Sequence, residues 1–323
     1  MMDGVLRIPA VNLTETDALI ADALNGLTAS SKSLSPKWLY DHHGSALFEQ
    51  ITQLPEYYPT RTEAGILHDN AAALSGLVPA NGALVELGSG ASVKTRTLLN
   101  AGRHFGAYVP IDISRDFLLE TAGDLRTRYP RLSIVPVVAD FSAPVALPRE
   151  LATTPKVGFF PGSTIGNLAP DRAQALLEGV RAWGGIGAFI VGMDMVKDTS
   201  ALVAAYDDAQ GVTAQFIRNI LVRLNREAQA NFNIDAFKYR ASWNPALARI
   251  DMQLVSSHEQ VVTLAGQAIT FEAQEAIHVS AARKYTPDSL RNLALSAGWD
   301  VAARHTDASD RFSVAVLTPV HRP

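Results

Sequence analysis

The segment Ala83 to Thr97, ALVELGSGASVKTRT, constrains this chain more than any other. Ala83, Leu84, Val85 and Leu87 make a short apolar run with Glu86 set among them. The run ends in Gly88-Ser89-Gly90, ahead of a stretch that can become a helix. This reads as strand, tight glycine turn, helix. Glycine reaches dihedrals closed to other residues and lets a ligand approach the backbone, and the free N–H groups of a helix start can bind polar ligand atoms. An ordinary turn also accommodates Gly-x-Gly, so that reading stays open here. The dinucleotide spacing G-x-G-x-x-G fails at Val93, and no G-K-[ST] phosphate loop follows. The ligand that suits such a turn is a nucleoside without a phosphate chain, and S-adenosylmethionine is the obvious one.

Around this segment the chain alternates helix and strand. A helix is expected through Ile66 to Leu74, then the Ala83 strand, then a second helix from near Ser92 to Asn100. HFGAYVPIDIS is a second strand that ends in Asp112, about twenty residues past the glycine turn, where a carboxylate can accept both ribose hydroxyls. Capping the next helix is the competing role for it. LSIVPVVADFSAP is a third strand and ends in Asp140-Phe141, placing a second carboxylate within reach of an adenine amino group. KVGFFPGSTIGNLAP is a fourth, with Gly162, Ser163, Thr164 and Asn167 in its loop. The Asn167 amide is both donor and acceptor, so it can hold a zwitterionic substrate by its carboxylate and amine, or else satisfy turn backbone. A fifth strand, GGIGAFIVGMD, follows a helix from Asp171 to Trp183. Such a run predicts a doubly wound, mostly parallel sheet with ligands outside the strands' carboxyl ends.

Beyond Ser200 the rhythm breaks into helix, glycine, helix around Tyr206, and then shorter alternating runs suited to antiparallel strands. The expected organisation is an N-terminal helical segment, 1–60, then a core of 61–200 and 285–323. An α+β capping domain, 201–284, is inserted in that core. The tail VAARHTDASDRFSVAVLTP reads as a loop and a last strand, with Asp307 and Asp310 serving the loop. Tyr57 and Tyr58, adjacent before Pro59, suit either a pocket or packing.

Composition narrows the function. With 47% hydrophobic residues over 323 positions a proper core is assured. The absence of cysteine removes disulfides, thiolate nucleophiles and cysteine metal sites, and agrees with a cytoplasmic protein. A formal charge of -4 without a long basic block argues against nucleic-acid binding. No apolar run reaches the length of about 18 residues that a membrane span needs, and the N-terminus lacks a positive region followed by an apolar core. No histidine and carboxylate cluster has metal-ligand spacing. The expected partner is a small soluble molecule, and the expected state a monomer.

With these residues in place, the chain resembles the histidine N-alpha-methyltransferase family of ergothioneine biosynthesis. The blocks SPKWLYDHHGSALFEQITQLPEYYPTRTE, LVELGSGASVKTRTLL, PIDIS, ADF, FFPGSTIGNLAP, GMDMVKD and AAYDDAQGVTAQFIRNIL occur in that order over roughly Leu27 to Val316. The resemblance implies a Rossmann-like core with a smaller capping domain. It also implies S-adenosylmethionine as donor and three methyl transfers to the alpha-amine of histidine. It assigns Gly88, Ser89, Gly90, Lys94, Asp112, Asp140 and Phe141 to the cofactor. The amino acid falls to Tyr57, Gly162, Asn167, Tyr206 and Met252, with Tyr40, Tyr57 and Asn167 nearest the chemistry.

One block departs from the family. Where the family carries a glutamate and, two residues on, a serine to bind the imidazole, the sequence HVSAARKY places Ser280 and Ala282. A charge-assisted hydrogen bond is worth about 1.5–3 kcal/mol, or roughly 10- to 150-fold in affinity. The same chemistry on a different amino acid is therefore one alternative. A non-catalytic relative that only binds is another. Glu275 and His278 are candidate substitutes for the lost carboxylate.

Overall fold

The computed structural model describes residues 15–320. Residues 1–14 and 321–323, which the first and last domain ranges above include, lie outside the described residues. In chain order the elements are α1 (Glu15–Leu27), α2 (His42–Gln53), α3 (Tyr58–Asp69), α4 (Ala71–Ser75), β1 (Ala83–Leu87), α5 (Thr95–Ala101), β2 (Ala107–Asp112) and α6 (Arg115–Arg128). Next come β3 (Ser133–Ile134), β4 (Val137–Val138), β5 (Lys156–Phe160), α7 (Pro170–Arg181), β6 (Ile186–Asp194), α8 (Thr199–Ala204) and α9 (Val212–Glu227). The remainder is β7 (Phe237–Asn244), β8 (Arg249–Ser256), β9 (Gln260–Leu264), β10 (Gln267–Phe271), β11 (Ala276–Arg283), α10 (Pro287–Ser296), β12 (Trp299–Thr306) and β13 (Phe312–Pro319).

The chain divides into two compact units. The larger comprises Ala46–Thr213, Ala241–Asp251 and Ala281–Pro323. Its sheet has the order β12-β13-β6-β5-β1-β2-β3, with β4 also on β2. From β6 through β5 and β1 to β2 the pairing is parallel, and β13 runs antiparallel to both β6 and β12. Every residue of β1 and β5 is buried, as expected of parallel strands covered on both faces. The two-residue side-chain period divides them between two cores. Val85, Val109, Phe160 and Phe189 enter one with Trp299, and Leu84, Tyr108, Phe159 and Ile190 enter the other with Phe312.

Several boundaries differ from expectation for local reasons. The helix expected over Ile66 to Leu74 begins earlier, at Tyr58 with Pro59 in its first turn, and breaks at Asn70. The next helix starts at Thr95 rather than near Ser92. The third strand is interrupted between β3 and β4, where Pro136 has no N–H to give the ladder. The tail forms a hairpin of two strands, with Asp307 accepting the N–H groups of Arg311 and Phe312 at its turn.

The smaller unit comprises Met1–Ser45, Ala214–Arg240 and Met252–Ser280. It contains the β9–β10 hairpin, and Phe232, Phe237 and Phe271 pack edge-on with ring centroids 5.2–6.2 Å apart. Asp41 takes Arg226, Asn219 and the Gly44 N–H, which hold its carboxyl below the usual range against the opposing effect of burial. The strands of the β11-β8-β7 sheet cross the division, at Ser280, Asp251 and Arg240. No described helix is long and apolar enough to cross a membrane.

Candidate active site

The carboxyl ends of β1, β2, β4 and β5 carry the groups that the sequence singled out. At the end of β1, Gly88 has φ 65° and Gly90 φ 47°, both in the left-handed region. A Cβ on Gly88 would lie 3.2 Å from the Phe141 ring, while one on Gly90 would point into open space. Ser89 is buried, and its hydroxyl has no hydrogen-bond partner among the described residues. An orphaned buried hydroxyl beside an open glycine face fits a polar ligand seated on this turn.

Asp112 lies just across from it. One carboxylate oxygen accepts from Gly90 N at 2.9 Å and the other from Ser114 N at 3.0 Å. Helix α6 takes Ser114 as its N-cap, so Asp112 braces the glycine turn instead of capping the helix. Each of its oxygens keeps a lone pair for a further donor. Asp140 stands two residues beyond β4 and accepts from Ser142 N at 2.8 Å. The ring of the next residue, Phe141, meets Phe160 edge-on at 5.3 Å.

Beneath the turn is a polar cluster that the sequence reading passed over. Glu86 is fully buried in β1, and Thr95 and Tyr108 both donate their hydroxyls to its Oε2. Burial raises the Glu86 carboxyl to about 8, against the lowering effect of those two donors. Glu63, on α3 and 0% exposed, accepts the Gly162 N–H at 2.9 Å on both oxygens and pairs with Lys94. Lys94, assigned above to the cofactor, thus sits on a buried carboxylate that also fixes the β5 loop.

In that loop Gly162 and Ser163 both have positive φ, 82° and 57°. Such strain in a non-glycine residue persists only where the surroundings impose it, and the Asp194 N–H donating to Ser163 Oγ at 2.9 Å is one restraint. Asn167 closes the turn half-buried, and its amide makes no hydrogen bond to the described residues. The amide is therefore not occupied in satisfying the turn. Gly166 lies so close to the Arg283 carbonyl that a Cβ would come within 2.6 Å of the oxygen, which sets this loop beside Lys284.

Lys284 belongs to an ion array centred on Asp194. The Asp194 carboxylate is wholly buried and receives the Tyr58 hydroxyl at 2.8–2.9 Å, Lys197, and Lys284 at 2.6 Å. Lys284 also donates to the Tyr206 hydroxyl at 2.7 Å and lies over that ring. Tyr57, the N-cap residue of α3, meets Tyr206 edge-on at 5.9 Å. Burial, and then Asp194, push the Tyr58 phenol far up, so it stays protonated. Burial pulls the Lys197 ammonium down, against the pull of Asp194. Tyr57, Gly162, Asn167 and Tyr206 are thus all in the larger unit, and Ala282 with them.

Tyr40, Met252 and Ser280 belong to the smaller unit. Tyr40 contacts Phe216 edge-on at 5.4 Å. Met252 is buried in β8, and Ser280 and Ala282 are buried two apart on one face of β11. His278 shares that strand face by the same period. Glu275, the other candidate substitute, is paired with Lys32 at 2.6 Å and accepts from Glu272 N. Glu63, Glu86, Asp194 and Lys284 were not singled out by sequence reading. Their only signal was an ionisable residue within or next to an apolar run.

Comparison with known proteins places this geometry. Residues 19–319 match the family described as histidine-specific methyltransferase, SAM-dependent. The chain is 42% identical over 327 residues to the histidine N-alpha-methyltransferase of Mycobacterium tuberculosis (strain CDC 1551 / Oshkosh), covering 96% of this chain and 99% of that protein. It is 41% identical over 310 residues to the enzyme of that name from Mycolicibacterium smegmatis (strain ATCC 700084 / mc(2)155), covering 93% and 94%. A more distant relative is the 4-dimethylallyltryptophan N-methyltransferase of Epichloe festucae var. lolii, 24% identical over 311 residues, covering 88% and 90%. The chain belongs to the S-adenosylmethionine-dependent histidine-specific methyltransferase family, an enzyme family whose methyl donor is S-adenosylmethionine.

Proposed function

We propose that this enzyme methylates the alpha-amine of free L-histidine, in successive transfers that end at the trimethyl betaine. Residues 61–200 and 285–323 would bind the donor, and 201–284 would cap the substrate. Full-length similarity to two histidine N-alpha-methyltransferases supports the reaction. The observation that carries the assignment within this chain is the Asn167 amide, uncommitted among the described residues at the carboxyl end of β5.

In this reading Gly88, Ser89, Gly90 and Lys94 line the cofactor's amino-acid portion, Asp112 takes the ribose, and Asp140 with Phe141 the adenine. S-adenosylmethionine supplies a methyl group activated on a sulfonium. The chain's contribution is alignment, since fixing two reactants in line gives much of the advantage of an intramolecular reaction. Asn167 orients the amine through its carbonyl oxygen and the carboxylate through its NH₂ group. Tyr57 and Tyr206, whose rings meet edge-on, bound the same space. Tyr58, held protonated by burial and Asp194, does not serve as the base.

A second reading rests on Ser280 and Ala282. With neutral, small side chains on that face of β11, the site loses the carboxylate that would select imidazole, and a bulkier aromatic amino acid becomes a competing substrate. The relative named for 4-dimethylallyltryptophan shows that an indole-bearing substrate occurs among similar proteins. The test is an assay of purified enzyme with S-adenosylmethionine against the twenty amino acids, following product masses. Trimethylhistidine as dominant product is the expected result. Preference for another amino acid transfers the assignment to the second reading, and no methylated product from any of them overturns both.

A further inference from the structure

Glu63 is wholly buried and reaches from α3 to two other segments, all within the larger unit. Its carboxylate pairs with the Lys94 ammonium, just ahead of α5, and accepts the Gly162 N–H at 2.9 Å on both oxygens. A buried carboxylate is costly without partners, so burial explains why Glu63 has some. Burial does not explain why they are these two. Lys94 belongs to the proposed donor site, and Gly162 opens the loop that presents Asn167.

The Gly162 end of this link is stiff. A Cβ on Gly192 of β6 would collide with Glu63 Oε1 and come within 3.2 Å of Gly162 N, so the carboxylate fills the space that this glycine leaves. Gly162 and Ser163 hold left-handed dihedrals, φ 82° and 57°, and such strain lasts only while the surroundings enforce it. The bond from Gly162 N–H to Glu63 is one of the restraints. The Lys94 end is looser. Its side chain is 19% exposed, and among the described residues its ammonium bonds only Glu63, which leaves two of its three donors for a ligand. An anion taken up there holds the ammonium from two sides. Lys94 then loses freedom and Glu63 with it, and the strained loop is settled before a second ligand arrives. A ligand that rigidifies a site lowers the ordering cost that the next one meets.

We infer that Glu63 is a positioning residue that couples the donor site to the amino acid site. The cofactor's carboxylate, seated on Lys94, tightens binding of the amino acid through Glu63 and the Gly162–Asn167 loop. This rests on the roles proposed above for Lys94 and Asn167. By linkage the amino acid tightens the cofactor by the same factor.

The experiment measures L-histidine affinity by calorimetry with and without saturating S-adenosylhomocysteine, which has the same carboxylate and no methyl group to transfer. In the wild type, histidine is expected to bind about 5- to 150-fold tighter in its presence, the usual span of coupling between two sites. 5′-Methylthioadenosine, which lacks the amino-acid portion, gives little of that gain. Glu63→Gln keeps one oxygen for the Gly162 N–H but loses the charge that holds Lys94, and the ratio falls towards one. Lys94→Met removes the other end of the link, lowers the ratio in the same way, and serves if Glu63→Gln does not fold. Because both residues belong to one link, the double variant loses no more coupling than either single variant. A merely structural role would lower stability or both affinities and leave the ratio alone. A wild-type ratio near one overturns the inference. So does a folded Glu63→Gln or Lys94→Met enzyme that keeps the wild-type ratio, or methylthioadenosine that acts as strongly as S-adenosylhomocysteine. Histidine binding in neither condition counts against the proposed substrate alone, and the ratio is then read on the amino acid that the product-mass assay selects.

Discussion

Glu86→Gln tests the most heavily buried acid near the glycine turn. In the folded chain the Glu86 carboxyl titrates at about 8, against 4.5 for an ordinary glutamate. The folded state therefore keeps a proton that the unfolded chain releases, and the group's contribution is fully present below 4.5 and disappears as pH climbs to about 8. At about 1.36 kcal/mol per pH unit, an interval of roughly 3.5 units corresponds to a loss on the order of 5 kcal/mol. Glutamine keeps a carbonyl oxygen for the Thr95 and Tyr108 hydroxyls and has no proton to lose. Urea denaturation of both proteins at closely spaced pH values from 5 to 9 gives the difference curve, from which other titrating groups cancel. The variant is expected to gain steadily on the wild type up to about pH 8 and then to hold a constant difference. Parallel curves across that window would refute the reasoning, because they would mean that Glu86 is charged in the folded protein at neutral pH.

Three further outcomes are expected. Ser280→Glu places a carboxylate at the position where the family carries one, and kcat/KM for histidine relative to the best other aromatic amino acid rises by about 10- to 150-fold; an unchanged ratio removes β11 from side-chain recognition. Asp112→Asn leaves the Gly90 and Ser114 N–H groups one charged acceptor fewer, and the dissociation constant for S-adenosylmethionine, read by calorimetry, rises roughly 10-fold, or about 1.4 kcal/mol. Gly192→Ala drives a methyl into Glu63 Oε1 and towards Gly162 N, and costs about 1–3 kcal/mol in denaturant unfolding, since neither the buried carboxylate nor the strand can move aside freely.

Much of the core was legible because its strands are continuous apolar runs. Glycine or acidic residues end β1, β2 and β6, and Asp140 and Asn167 follow β4 and β5 within a few positions. Those features are local, so spacing alone put Gly88, Asp112, Asp140 and Asn167 at or beyond the carboxyl ends of their strands. The pairings that secure them are not local. Glu63 meets Gly162 across 99 positions and Tyr58 meets Asp194 across 136, and no periodicity relates such partners. Strand β12 escaped notice for a different reason. Its burial alternates cleanly, yet the sequence WDVAARHT is poor in β-branched residues, and only pairing with β13 makes it a strand. The orphaned Ser89 hydroxyl and the uncommitted Asn167 amide are likewise visible only once neighbours are known.

The position of β13 has a consequence in time. Phe312–Pro319 is made after every other strand, yet it lies between β6 and β12 and is buried along most of its length. While the ribosome is still short of Phe312, the backbone of β6 has no partner on that side, and Phe312, Val314 and Val316 are missing from one core with Ala315 and Leu317 from the other. The nascent chain thus carries an open, apolar strand edge from the completion of β6 at Asp194 until Phe312 is added, the kind of surface that invites pairing between neighbouring chains. Translation speed and chaperone supply then join the stability of the finished fold in setting how much active enzyme is recovered.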